Sequence, residues 1–241
     1  MSRRILPLAV LLAGGLLLSA CATPVGTVGS EPSGSSSPSP SPSASDDDTA
    51  ETEVDAAWLD AGRMIGVVTY GSSTCIPRAE EVAMVDGVLE VELRDDPAAA
   101  CTRDLAPRAS VVALPEGVDP TQDLEIRVTG GYSGDTDLDG LDAAPSGTTE
   151  FLPSAGWVED GMFVVLTWGS SSCVPELASV EATGPAEVTA TFATPPADQV
   201  CTMDMAPRAL VATVEGVDDD EAVLVLTGGE FLEVRTPILP S

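Results

Sequence analysis

Two short motifs that combine cysteine, hydroxyl and charged side chains each occur twice in the chain. The first spans residues 70–77 and returns at 168–175; the second spans 101–108 and returns at 201–208. In that order the segments read YGSSTCIP, WGSSSCVP, CTRDLAPR and CTMDMAPR. Such side chains could supply a serine nucleophile, a carboxylate acid or base, or a disulfide.

Composition removes several of these chemistries, because the chain has no His and its ten basic residues are all Arg. Without His there is no Ser-His-Asp or Cys-His pair and no imidazole metal site, and without Lys there is no Ser-x-x-Lys nucleophile. Ser72, Ser73, Ser171 and Ser172 therefore lack an activating base. We interpret them as turn hydroxyls that bond the backbone.

Each second motif holds an acid and an arginine four residues apart, in a proline-containing loop beside a cysteine. These are Asp104 with Arg108 and Asp204 with Arg208. We interpret them as local ion pairs or turn caps that hold the loop, in preference to catalytic or ligand-binding carboxylates.

The acidic segment at Asp135, Asp137 and Asp139 matches the start of a calcium loop, in which alternating carboxylates converge and Gly140 allows the sharp turn. The twelfth position is Ser146 instead of a bidentate Glu, and the second half of the chain has no counterpart. We therefore predict an acidic linker, and we expect no metal ion and no cofactor.

Four of the five cysteines fall in the repeated motifs, and four cysteines allow three pairings. Only Cys75 with Cys101 and Cys173 with Cys201 repeats the same pairing in both halves. A zinc site is the rival, but the chain has no Cys-x-x-Cys knuckle and no His. Each bridge would close a loop of about 27 or 29 residues and stabilise the fold by roughly 3.5 kcal/mol.

The fifth cysteine, Cys21, ends a segment typical of export signals. Arg3 and Arg4 precede an apolar run over residues 5–18 that is too short to span a bilayer as a helix. The run ends in LSAC, which matches the lipobox in which the cysteine thiol receives a diacylglycerol. We expect cleavage after residue 20 and lipidation of Cys21, which anchors the chain to the extracytoplasmic face of the cell membrane.

Two alternatives remain for this segment. One is an ordinary secretory signal that leaves Cys21 unmodified. The other concerns the route, because Ser2-Arg3-Arg4 partly resembles a twin-arginine signal, whereas the paired cysteines and the lack of a cofactor motif favour general export.

Residues 21–56 are rich in Ser, Pro and acidic side chains, a composition that predicts a disordered tether. A coil of that length would hold the folded part on the order of 30 Å from the membrane. The net charge of −29 argues against nucleic acid and against polybasic lipid contact, because both need a cationic surface.

The remaining sequence is a tandem repeat, with module 1 at 57–133, a linker at 134–155 and module 2 at 156–241. Strand-like alternation is clear at 89–93, 124–128 and 187–192, and Asp86-Gly87 predicts a hairpin. The nearly continuous apolar runs 65–70 and 163–168 indicate strands covered on both faces. We expect about five strands per module and an all-β fold of two small sandwiches or open barrels.

The lipobox, the Ser/Pro tether and the paired motifs together resemble exported lipoproteins of high-GC Gram-positive, actinobacterial-type bacteria. The resemblance covers the signal, the tether and both modules. It implies an address and an architecture, and it transfers no catalytic residue.

The sequence is compatible with three classes of function. The favoured hypothesis is a non-catalytic envelope unit that recognises a protein or glycan through the loops of its paired modules, or has a structural role. The second is a carboxylate-dependent, glycosidase-like hydrolase that uses a pair among the 39 acidic residues. The third is a small-ligand receptor with Tyr70 and Trp168 as stacking surfaces.

Overall fold

The computed structural model describes residues 52–143, 150–159, 161–217 and 221–241. The signal peptide predicted at 1–20, the predicted lipidation site Cys21 and most of the predicted tether lie outside these residues. Within the described part, no helix has the length and apolar character needed to cross a membrane.

The described residues are almost entirely β, which confirms the predicted all-β class. The first copy of the repeat, taken here as residues 52–143, contributes seven described strands. They are β1 (Val54–Leu59), β2 (Met64–Gly71), β3 (Arg78–Val85), β4 (Val88–Arg94), β5 (Ala106–Ala113), β6 (Leu124–Gly130) and β7 (Gly134–Leu138). A single 3-10 turn, Asp60–Gly62, joins β1 to β2.

The second copy, residues 150–241, repeats the same order. Its described strands are β8 (Ser154–Glu159), β9 (Met162–Gly169), β10 (Leu177–Gly184), β11 (Glu187–Phe192), β12 (Ala206–Thr213), β13 (Val223–Gly228) and β14 (Phe231–Leu239).

Each copy builds two kinds of sheet. In the first copy, β1, β2 and β5 form an antiparallel sheet, and β3, β4, β6 and β7 form a mixed sheet in which β4 and β6 run parallel. The second copy has the same two sets, β8-β9-β12 and β10-β11-β13-β14, and a short parallel pairing of β14 with β8 joins them.

The alternating sequences form strands with one buried face, as predicted. Leu89, Val91 and Leu93 are fully buried, whereas Glu90 and Glu92 between them are partly exposed. The predicted hairpin is also present, because Asp86 and Gly87 adopt φ angles of 53° and 94°. Positive φ at both central residues gives the turn the twist that antiparallel strands require.

The two continuous apolar runs are buried on both faces because the copies pack against each other. In β2, Ile65 and Val67 face the core of the first copy, whereas Val68 lies in a separate cluster between the copies. The members of this intercopy cluster are Ala57, Leu59, Val68, Ala109, Val164, Leu166 and Ala209. The strands β1 and β8 contact each other across it, as do β5 and β12.

The sheets therefore follow one another as layers, and both copies belong to one compact unit. This arrangement differs from the two separate small sandwiches or barrels expected from the sequence. The copies bury a common interface, so neither presents both of its sheets to solvent.

Three strands begin inside the ranges predicted from the sequence to be the tether and the linker. The strand β1 starts at Val54, inside the range given to the tether, and β8 starts at Ser154, inside the range given to the linker. The strand β7 (Gly134–Leu138) also lies in that linker range and pairs with β6. Its Asp-Thr-Asp sequence has low strand propensity, so the pairing with β6 determines its structure.

Candidate functional site

A disulfide ties two loops together in each copy. Cys75 bonds Cys101 and Cys173 bonds Cys201, which is the pairing predicted from the sequence. In the first copy the bridge joins the loop after β2, a strand buried on both faces, to the loop before the neighbouring strand β5. In the second copy it joins the loop after β9 to the loop before β12 in the same way. The repeated motifs of each copy therefore meet at one end of the three-stranded sheet.

The aspartate of each second motif caps the loop of the first. Asp104 accepts a hydrogen bond from the Ser73 backbone N–H at 3.3 Å and another from the Thr102 hydroxyl. Hydrogen bonds from Ser73 and Thr102 lower the pKa of Asp104 to about 2.

The second copy repeats this cap. Asp204 accepts from the Ser171 N–H at 3.2 Å and from the Thr202 hydroxyl, and these bonds lower its pKa to about 2. Both carboxylates are therefore ionised caps at neutral pH. Of the two predicted roles, turn cap and ion pair with the following arginine, the structure contains the cap.

The candidate serines make hydrogen bonds within their own loop and with the loop that the disulfide ties to it. The Ser72 hydroxyl lies 2.8 Å from the Thr102 hydroxyl, and the Ser172 hydroxyl accepts a bond from the Thr202 backbone N–H at 3.0 Å. These contacts fit the interpretation as turn hydroxyls, with Thr102 and Thr202 as additional members.

Arg108 and Arg208 are the buried centre of each loop system, with side chains only 5% and 4% exposed. Arg108 donates to the carbonyls of Ser72, at 3.1 Å, and Cys75. Arg208 donates to the carbonyls of Cys173 at 3.0 Å and Trp168 at 2.8 Å. Each guanidinium thus satisfies main-chain oxygens of the loop that follows the strand, and Arg208 also satisfies one at the end of strand β9 itself.

A glycine in the first motif makes this possible. A Cβ atom on Gly71 would lie 2.5 Å from the guanidinium of Arg108, and one on Gly169 would lie 2.7 Å from that of Arg208. Any other residue would displace the arginine, so the motif needs Gly after its aromatic residue.

The two copies differ in what faces the arginine. In the first copy Arg108 donates to the hydroxyl of Tyr132, and that hydroxyl donates to Asp95 at 2.7 Å. The Tyr132 ring centre lies 5.3 Å from the guanidinium carbon, and the residue is only 8% exposed. Burial and the bond to Asp95 raise the pKa of Tyr132, so its hydroxyl stays protonated. The ring closes this end of the first copy.

In the second copy Glu230 takes the position of Tyr132, because both residues follow the repeated Thr-Gly-Gly. Thr194 takes the position of Asp95 by sheet register, because Asp95 lies two residues after Leu93, which pairs with Gly130, and Thr194 lies two residues after Phe192, which pairs with Gly228. Arg208 pairs with Glu230, whose side chain is half exposed. Beside this pair lies an open cleft of about 440 Å³, called here the Arg208 cleft and lined among others by Cys173, Pro175, Thr194, Pro196, Arg208 and Glu230.

Comparison of the chain with protein-family models, with curated proteins and with solved structures found no match.

Exposed apolar side chains lie beside the Arg208 cleft in sequence. Val200 lies between Gln199 and Cys201, which both line the cleft, and it is 91% exposed. Met203 is fully exposed, and Met205 is more than half exposed. The counterparts in the first copy are Ala100, Arg103 and Leu105. The loop is therefore more apolar in the copy that has the cleft.

The other predicted site residues lie elsewhere. Asp135 and Asp137 project from strand β7, where Asp135 pairs with Arg127 at 2.9 Å, and the Asp139 carbonyl accepts from the Trp58 indole at 2.8 Å. The segment is thus an edge strand and not a calcium loop. Among the described residues, no group of three acidic or cysteine side chains is arranged to hold a metal ion.

The aromatic residues proposed as stacking surfaces are both partly exposed at strand ends. Trp168 packs against the intercopy cluster, and Phe151 meets it edge to face with ring centres 5.4 Å apart. Tyr70 ends strand β2 at the equivalent position.

Sequence reasoning missed the partners of the two arginines. It offered Asp104 and Asp204 as ion-pair partners or turn caps, whereas the structure brings Tyr132 and Glu230 to the arginines from the turns after β6 and β13. The repeat did contain a signal, since Tyr132 and Glu230 replace each other directly after two matching Thr-Gly-Gly segments.

Proposed function

We propose that the chain is an exported lipoprotein, anchored through Cys21 at the extracytoplasmic face of the membrane, whose β sheets form a non-catalytic binding unit of the cell envelope. The LSAC sequence at 18–21 supports the anchor, and the Ser/Pro and acidic composition of the following segment supports a spacer. The partner is an envelope polypeptide or glycan, and the negative net charge argues against nucleic acid.

One observation carries the binding hypothesis. The two copies share their fold, disulfide and buried arginine, yet the residue that faces the arginine is the buried Tyr132 in the first copy and the half-exposed Glu230, which lines an open cleft, in the second. Binding sites are concave and mainly apolar, with a few fixed polar groups. The Arg208 cleft has these properties, with walls of proline and a disulfide around one ion pair.

The polar groups of the cleft favour binding over catalysis. Arg208 is held by two main-chain carbonyls and by Glu230, so its charge is fixed and neutralised. The nearby Asp204 is an ionised cap with a pKa of about 2, far below the range of a general acid at neutral pH. Such groups orient a ligand.

The binding function is tested by filling the cleft as the first copy does. The variant Glu230→Tyr with Thr194→Asp copies the side chains of Tyr132 and Asp95 into the second copy. Full-length wild type and variant, extracted in detergent, are used to capture partners from envelope extract. We expect a stoichiometric partner that the wild type retains and the variant loses.

The matched control is Asp104→Asn, which alters the loop of the first copy and leaves the cleft unchanged. Retention of the same partner by the filled variant, or the lack of any stoichiometric partner, would contradict the proposal. Activity toward wall glycans that the filled variant loses would instead favour the hydrolase.

The predicted membrane anchoring is tested separately with the variant Cys21→Ser. We expect the variant to appear in the medium or to accumulate unprocessed, because no acyl chains can be attached. A variant that stays membrane-bound at the mature size would show the lipobox interpretation to be wrong.

A further inference from the structure

In the first copy a tyrosine faces the buried arginine, at the position whose counterpart lines the Arg208 cleft in the second copy. Tyr132 places a phenol ring over Arg108, and its hydroxyl bridges the guanidinium and the carboxylate of Asp95. The counterparts of these three residues are Glu230, Arg208 and Thr194, and all three line the Arg208 cleft. The cleft is thus bordered by the residues that correspond to the surroundings of the tyrosine in the first copy.

We infer that the Arg208 cleft binds a tyrosine side chain presented by a polypeptide partner, which takes the place that Tyr132 holds in the first copy. This inference rests on the proposed binding function and names its ligand. Tyrosine suits such a site because it combines a large apolar ring with a hydroxyl that finds a partner when buried. It is also enriched among the residues that dominate binding energy at interfaces.

The polar end of the cleft accepts a donor. Within the described residues, Glu230 makes its hydrogen bond to Arg208 through Oε1, and no protein donor engages Oε2. A phenol hydroxyl can donate to this second oxygen, as Tyr132 donates to Asp95 in the first copy. Because Arg208 balances the charge of Glu230, a neutral donor fits without adding an unpaired charge.

The surroundings favour a polypeptide over a free phenol. The volume of about 440 Å³ exceeds the need of one ring and leaves room for neighbouring backbone. Val200, Met203 and Met205 stand exposed on the adjoining loop. Flexible, polarisable methionines are frequent on surfaces that bind peptides of varied shape. A partner chain would cover these side chains, whereas a free phenol would leave them in water.

The test uses the detergent-extracted full chain and calorimetric titration with three blocked tripeptides, acetyl-Ala-X-Ala-amide with X as Tyr, Phe or Lys, together with p-cresol. We expect the Tyr peptide to bind at one site per chain. The Phe peptide should bind about tenfold more weakly or worse, since it lacks a hydrogen bond to a charged group. The p-cresol should bind more weakly than the Tyr peptide.

Two double variants should change the number of binding sites in opposite directions. Glu230→Tyr with Thr194→Asp should abolish binding, whereas Tyr132→Glu with Asp95→Thr should open the first copy and raise the stoichiometry toward two. Thermal unfolding of each variant checks that the sheets remain folded. The second variant keeps the test decisive if the first fails to fold.

Equal affinity for Tyr and Phe peptides, tighter binding of the Lys peptide, or equal binding of p-cresol and the Tyr peptide would each overturn the inference. So would a lack of binding to any probe. The capture of partners from envelope extract separates this failure from a failure of the proposed function. If the filled variant still loses its envelope partner, the cleft binds something other than tyrosine.

Discussion

Gly156 lies at the closest approach of the two copies, and replacing it by Ala tests how the copies pack. A Cβ atom at this position would lie 2.1 Å from the carbonyl oxygen of Trp58, and 3.1 and 3.2 Å from its carbonyl carbon and nitrogen. All three are backbone atoms of β1, so no side-chain rotation can relieve the contact. The strands β1 and β8 must separate by about 1 Å to restore ordinary van der Waals distances.

The cost follows from overpacking and from the gap it opens. Inserting a methyl group into a well-packed core costs about 1–3 kcal/mol. A gap of 0.5–1 Å also removes about a quarter to a half of the dispersion attraction between the atoms on either side. Because Leu59, Val164 and Leu166 in the adjoining cluster are fully buried, we expect a loss near the upper limit, about 3 kcal/mol.

For a folded part of this size, that loss lowers the melting temperature by roughly 6–12 °C. Circular dichroism melts of the oxidised protein measure it. The matched control is Gly131→Ala, because a Cβ atom there would approach no atom closer than 3.4 Å. Equal melting temperatures for Gly156→Ala and the control would refute the close contact between β1 and β8.

Two further predictions concern the disulfide loops. Replacing Cys173 and Cys201 together by Ser should cost roughly 3.5 kcal/mol, because the bridge no longer restricts the unfolded chain. Urea unfolding of the double variant beside the wild type measures the loss, and an unchanged midpoint would contradict a structural role for the bridge. The second prediction concerns pH: the pKa of Asp204 is lowered from its ordinary 3.8 to about 2, so its caps stabilise the folded state above pH 3.8 and are lost as the pH falls toward 2. Asp204→Asn should therefore show a smaller loss of melting temperature between pH 5 and pH 2 than the wild type, and identical pH profiles would show that the cap contributes nothing.

Much of the fold follows from local patterns in the sequence. The alternation at Leu89, Val91 and Leu93 marks a strand with one buried face, and Asp86-Gly87 marks the turn before it. The apolar runs in β2 and β9 also predict burial on both faces. What they cannot specify is which surface covers the second face, since any apolar layer would satisfy the same pattern.

The strands that sequence patterns missed depend on tertiary contacts. Residues 54–59 of β1 are buried with little alternation, because one face lies in the core and the other against β8. The strand β7 carries Asp135 and Asp137 outward and is defined by its pairing with β6. The sequence of β1 lacks the period-two pattern on which strand prediction relies, and in β7 the positions that alternate with the aspartates include Gly134 and Thr136, which are not apolar.

The candidate site was partly visible in the sequence. The cysteine pairing followed from the repeat, but the partners of the two arginines did not. Arg108 meets Tyr132 and Asp95 only because β4, β5 and β6 bring three distant segments together. Local spacing favoured the nearer Asp104, which instead caps a loop of the neighbouring motif.

The packing of like strand on like strand between the copies has a consequence for the origin of the chain. Because β1 faces β8 and β5 faces β12, each copy uses the same surface to contact the other, as subunits of a two-fold symmetric homodimer do. A single ancestral copy with this apolar face would have had to pair with itself. Gene fusion makes such a pairing intramolecular, so it no longer depends on protein concentration. After fusion the two halves no longer need identical sequences, so that one position can hold tyrosine in one half and glutamate in the other.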